Sequence, residues 1–183
     1  MLAHFVIRLI CGMGLMLVVM PRKGVPGAFF RILLLLILGL GALGAVSTTG
    51  SVAGPIVLCV LAFGGSILWM LERRFAGTMV LYAIAAVSLV ELGFSAWRQL
   101  PADRAVVPAW FFAGDFASAM VLGSTMVGML LGHRYLTVPG MSLEPLQGLN
   151  AYVGASGLAR LAVSAAMLVM TRQLLTMNTS YLI

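Results

Sequence analysis

Four ionisable residues stand inside long apolar stretches of this chain: Arg8, Glu91, Asp115 and Arg160. A charge at the centre of a bilayer costs about 2.5 to 3.5 kcal/mol on insertion scales, so such groups face protein or water and have a partner. Two are basic and two acidic, which permits two kinds of chemistry. Arg8 with Glu91 or Asp115, and Arg160 with the remaining acid, can form ion pairs that fix helix order and register. Alternatively, the four line a path for protons, ions or a substrate. Residues at i and i+4 share a helix face, and each charge has small or polar neighbours at helical spacing. His4, Arg8 and Gly12 align, as do Asp115, Ala119 and Gly123, and Ser156, Arg160 and Ser164. Ser88, Glu91 and Ser95 follow at i, i+3 and i+7. These faces are expected to point inward, with Arg8, Glu91 and Asp115 at similar depth.

A second candidate is His133, with Arg134 and Tyr135, in the run Gly132-His133-Arg134-Tyr135-Leu136-Thr137-Val138-Pro139-Gly140. An imidazole at a membrane interface can ligate haem or another metal, or contact a quinone headgroup. The same residues also have structural uses, since basic groups suit the negative end of a helix and an aromatic suits the interface. The only other histidine, His4, is expected at the opposite membrane face, so the two cannot share one iron. No cofactor is therefore expected, and a haem at His133 is a minor alternative. Cys11 and Cys59 lie in apolar runs, where a thiol acts as a small hydrophobe. The sequence holds no phosphate-binding glycine loop, H-E-x-x-H, C-x-x-C or G-x-S-x-G, so no catalytic residue and no metal site is assigned.

The elements that must position these residues follow from composition. Of 183 residues, 62% are hydrophobic and 9% charged, with a mean hydropathy of +1.10. Soluble domains are about half apolar and a quarter charged, so the surface of this chain must be covered by lipid. Spanning the hydrocarbon takes roughly 20 apolar residues in a helix. At that grain the chain divides into about six segments: about 2–20, 28–46, 55–71, 77–97, 109–132 and 150–171. The longest connection runs from His133 to Leu149. Continuous apolar runs contradict the alternating pattern of barrel strands, which leaves helices. The expected fold is all-α, a single polytopic helical bundle.

With the N-terminus outside, the cytoplasmic side holds Arg22, Lys23, Arg31, Arg73, Arg74 and Arg134, against Arg98, Arg104 and Arg172 outside. Trp69, Trp97 and Trp110 fall at segment ends, where indoles favour the headgroup layer. The basic pair Arg22 and Lys23 follows the first apolar run, the reverse of a cleavable signal. The net charge of +6 is spread between segments, forms no stripe for nucleic acid, and reads as a topology signal. Ser124, Gly128 and Gly132 form a second small-residue stripe that permits close helix approach.

The stretch 129–146, with Leu-Gly-His-Arg-Tyr-Leu-Thr-Val-Pro-Gly-Met-Ser-Leu-Glu-Pro-Leu, resembles a motif of uncharacterised bacterial multi-pass membrane proteins that usually read Gly-His-Trp-Tyr-Leu. Here Arg134 stands in place of the Trp. The resemblance covers about a tenth of the chain and implies a cell inner membrane placement without implying a reaction. It also implies that relatives continue beyond Leu182 and Ile183, so the chain is read as a possible truncation. The expected function is a non-enzymatic subunit or accessory protein of a larger inner-membrane assembly, contacting lipid and other membrane proteins or copies of itself. The alternatives are a small transporter or proton conductor using the buried charges, and a redox protein with haem or quinone at His133.

Overall fold

The computed structural model describes residues 2–21, 25–48, 50–98, 108–137 and 143–179, with side chains for all of these except 108–109 and 171–179. Arg22, Lys23, Asp103, Arg104, Pro139, Gly140, Leu182 and Ile183 lie outside the described residues, as does the side chain of Arg172. Six helices run in order: α1 (Leu2–Val19), α2 (Gly27–Ser47), α3 (Ala53–Met70), α4 (Arg74–Arg98), α5 (Pro108–Thr137) and α6 (Glu144–Thr179). Each is long and apolar enough to cross a membrane, and no strand occurs among the described residues. The chain is an all-α helical bundle of a multi-pass membrane type.

The boundaries have local causes. Pro26 caps α2, and Pro55, Pro108 and Pro145 stand in the first turns of α3, α5 and α6. A proline there removes an N–H that has no partner within the helix anyway. α3 ends at Leu71-Glu72-Arg73, where Glu72 takes φ 55° and the Arg73 N–H donates back to the Leu68 carbonyl at 3.0 Å. This left-handed turn reverses the chain into α4 and satisfies carbonyls left over at the helix end.

α1 is the axis of the bundle. It touches α2, α4 and α5, while contacts between α2 and α3, α3 and α4, and α4 and α5 close an arc around it. Its residues Val6, Ile10, Met13, Met16 and Leu17 are buried along most of its length. α2 contributes the stripe Phe30, Leu33, Leu34, Ile37, Gly41 and Gly44 at helical spacing, and turns Ile32, Leu35, Leu43 and Val46 outward. Lipid tails are as apolar as these side chains, so close packing and polar contacts, rather than escape from water, must hold the helices together. α6 leans on α5 from outside this arc. Between Asn150 and Met170 only Ser156 is buried.

The first four segments match the sequence expectation within three residues at each end. The last two do not. α5 continues through Gly132 to Thr137, and α6 begins at Glu144, so the supposed long connection from His133 to Leu149 is mostly helix. Glycine inside a helix costs only about 1 kcal/mol, and Arg134, Tyr135 and Leu136 carry the helix on to Thr137. Trp69 also departs from expectation. It is 6% exposed and stacks on Phe30 at 4.3 Å between ring centroids, with Gly77 against its indole, so it fills the core at that end of the bundle. Trp97, two-thirds exposed near the end of α4, and Trp110, partly exposed in the first turn of α5, fit an interfacial belt.

Candidate functional site

The charged residues gather at the end of the bundle where α1, α3 and α5 begin and α2 and α4 finish. What brings α1 and α5 together is the pair Gly12 and Gly123. A Cβ at Gly12 would collide with the Ala119 carbonyl and approach the Gly123 Cα to 2.9 Å, and a Cβ at Gly123 would collide with the Gly12 backbone. Two glycines at a crossing let helix backbones touch. One turn before Gly12 on α1 and about two turns before Gly123 on α5, that proximity carries Arg8 to Asp115.

The Arg8 Nη2 donates to Asp115 Oδ1, and His4 Nε2 lies 3.4 Å from Oδ2. Asp115 is 8% exposed, so its charge is held almost out of solvent with both oxygens engaged. Such a pair offsets the desolvation of each ion through their mutual attraction and hydrogen bond. The faces 4-8-12 of α1 and 115-119-123 of α5, each evident from spacing alone, are thus the two halves of one interface.

Arg160 reaches the same level from α6 without joining that pair. Its Nη1 donates to the Gly114 carbonyl at 3.2 Å, an oxygen that also accepts from Ser118 Oγ at 2.8 Å. The expected pairing of Arg160 with the remaining acid is therefore not formed among the described residues, because α6 stands outside the arc and α1 and α5 intervene. Farther along the α5–α6 seam, the Ser124 and Ser156 hydroxyls lie 3.2 Å apart. Gly128 and Gly132 have open space where a Cβ would stand, so the stripe expected to make a close approach does so only at its Ser124 end.

Glu91 is set apart from the arginines. Its carboxylate lies against Gly54 in the first turn of α3, where a Cβ would overlap it. That position is the positive end of the α3 dipole, which favours an anion. With His4 of α1, Ser47 and Thr48 at the end of α2, Ser51 before α3, and Ser95 and Arg98 of α4, Glu91 lines a cavity of about 300 Å³. Arg98 lies over the Phe94 ring at 4.4 Å from its centroid. His4 therefore touches both the Arg8–Asp115 pair and the cavity. The cavity was not evident from sequence, where Ser47 to Ser51 reads only as a turn and Gly54 has no visible role. The paired stripes and the nearby lone carboxylate were the only available signals.

His133, Arg134 and Tyr135 occupy the last turns of α5 at the other end of the bundle. His133 is exposed, Arg134 half-buried, and Tyr135 packs on the main core. Eighteen residues of helix, about 27 Å, separate His133 from the level of Asp115 and His4. No group of three His, Cys, Asp or Glu side chains close enough to hold a metal occurs among the described residues. Cys11 is buried beside Leu92 and Ala119, and Cys59 packs between α2 and α3 with its thiol 3.6 Å from the Leu38 carbonyl. No family model, curated protein or solved structure matches this chain.

Proposed function

We propose that the chain is a non-enzymatic subunit of a larger assembly in the bacterial inner membrane, with its N-terminus outside, and that α6 is the helix through which it joins its partner. The observation that carries this reading is Arg160. It is a guanidinium on a spanning helix, half-buried, whose only hydrogen-bond partner among the described residues is one backbone carbonyl. Arginine has five N–H donors, and in hydrocarbon most of them require acceptors. A partner chain that brings a carboxylate to this level supplies them. Exposed Gly154 and Gly157, with open space at their Cβ positions, offer the close approach that helix association in lipid requires.

A second reading, a small transporter or proton conductor, is favoured by Glu91, which makes no ion pair among the described residues and faces the cavity. Below the cavity, however, the interior is filled by Ile10, Met13, Leu34, Ile37, Leu58 and Ile84. That packing favours a subunit over a conduit.

The test is photo-crosslinking from single positions in native membranes. Probes at Leu158 and Leu161 of α6 are expected to join a discrete second polypeptide, whereas probes at Val60 of α3 and Val90 of α4 react with lipid. Arg160→Leu is expected to weaken the association at least tenfold in mild detergent, and Arg160→Lys to weaken it less. A protein that purifies alone, with α6 probes labelling only lipid, overturns the proposal. So does ion or proton flux through the lone chain in proteoliposomes.

A further inference from the structure

We infer that the cavity between α1, α2, α3 and α4 is a binding site for a small zwitterion, a compound whose ammonium and anionic groups are separated by a few atoms, as in phosphoethanolamine. This goes beyond the assembly role and needs no partner chain.

The charges that would recognise it are already in place and kept apart. Glu91 and Arg98 lie on one face of α4, seven residues and about 10.5 Å of helix rise from each other. Neither forms an ion pair among the described residues. Each is held by a separate device. Glu91 rests on Gly54 at the start of α3, and Arg98 stacks on Phe94 with Gly50 beneath it, where a Cβ would meet the guanidinium at 2.9 Å. Gly50 and Gly54, each against one of the two groups, hold the charges at separate points along the segment that enters α3.

That separation selects the ligand. An ammonium sits about 3 Å from a carboxylate oxygen, and an anion about 3 Å from a guanidinium. A single small ligand that meets both groups therefore carries its own ammonium and anion a few atoms apart, as an ethanolamine phosphate does. The lining also includes Ser47, Thr48, Ser51 and Ser95. Ser47 and Thr48 also mark the end of α2, whose last turn has no basic residue to neutralise its carbonyls, a second attraction for an ammonium. A volume of about 300 Å³ lies at the lower limit of ligand pockets and fits a headgroup rather than a larger molecule. The exposed Phe94 and Arg98 line the cavity near the end of α4, where both a lipid headgroup and a free compound have access.

The full chain in phosphatidylglycerol nanodiscs, whose headgroup has no ammonium, titrated calorimetrically with O-phosphoethanolamine, tests the site. The zwitterion is expected to bind at least tenfold more tightly than ethanolamine or inorganic phosphate alone. Glu91→Gln and Arg98→Gln are each expected to lower its affinity at least tenfold, whereas Glu72→Gln, at the other end of the bundle, leaves it unchanged. Arg98 is exposed, so Arg98→Gln and Arg98→Glu keep the test decisive should Glu91→Gln fail to fold. Weaker binding of the soluble probe in nanodiscs that contain phosphatidylethanolamine supports the site with a lipid as its occupant. Equal binding in both supports it with a free compound. No binding by folded wild-type protein, equal binding of ethanolamine alone, or indifference to both charge variants overturns it.

Discussion

Asp115 is the residue on which the polar interior depends. It answers Arg8 and His4 together, and its removal strands a guanidinium among apolar helices. Asp115→Asn is expected to cost about 3 kcal/mol, the low end of the range for breaking a buried pair, because the Arg8 side chain retains 30% exposure. Replacing both partners, as Arg8→Met with Asp115→Leu, is expected to restore most of that loss, since no lone charge remains. Denaturant unfolding in mixed micelles measures both. A double variant as unstable as Asp115→Asn would show that the acid acts on the fold through something other than Arg8. The same comparison separates Asp115 from Glu91, whose charge is met by the α3 dipole rather than by an arginine.

At the scale of elements, the α1–α5 crossing sets where Arg8 can reach. With Gly12 and Gly123 backbone against backbone, even a methyl group forces the helices apart. Gly12→Ala and Gly123→Ala are expected to abolish most of the folded protein recovered as a single peak in detergent chromatography. Gly128→Ala, on the same helix but facing open space, is expected to be neutral or slightly stabilising through higher helix propensity. Equal tolerance at Gly12 and Gly128 would mean that the crossing lies elsewhere. The contrast is specific to this arrangement, because a general intolerance of helical glycines would affect all three positions alike.

For the whole molecule, the decisive property is that both polar features lie at one end, with a packed apolar interior beneath them. The alternation of helices puts Ser51 and Glu72 on opposite membrane faces, and the proposed orientation, with the N-terminus outside, predicts that Ser51 is the outer one. In a chain carrying Cys11→Ala and Cys59→Ala, a membrane-impermeant maleimide is expected to label Ser51→Cys in intact cells and Glu72→Cys only after permeabilisation. Labelling of both from one side would break the six-helix topology, and the reverse order would invert it. The peripheral position of α6 belongs to this scale too, because a spanning helix with so little buried surface derives little of its stability from its own chain.

The sequence by itself determined the solvent, the helical class and the boundaries of the first four spans, because apolar length and turn residues are local properties that a bilayer reads directly. It also determined which residues share a face: His4, Arg8 and Gly12 on one helix, Asp115, Ala119 and Gly123 on another. Only the tertiary structure decided which faces meet. Spacing along a helix is blind to its neighbours, so it could join Arg8 to either acid and could not set Arg160 aside on an outer helix. Nor could it find the cavity, whose walls come from four separate helices and whose carboxylate rests on a glycine that no local pattern marks.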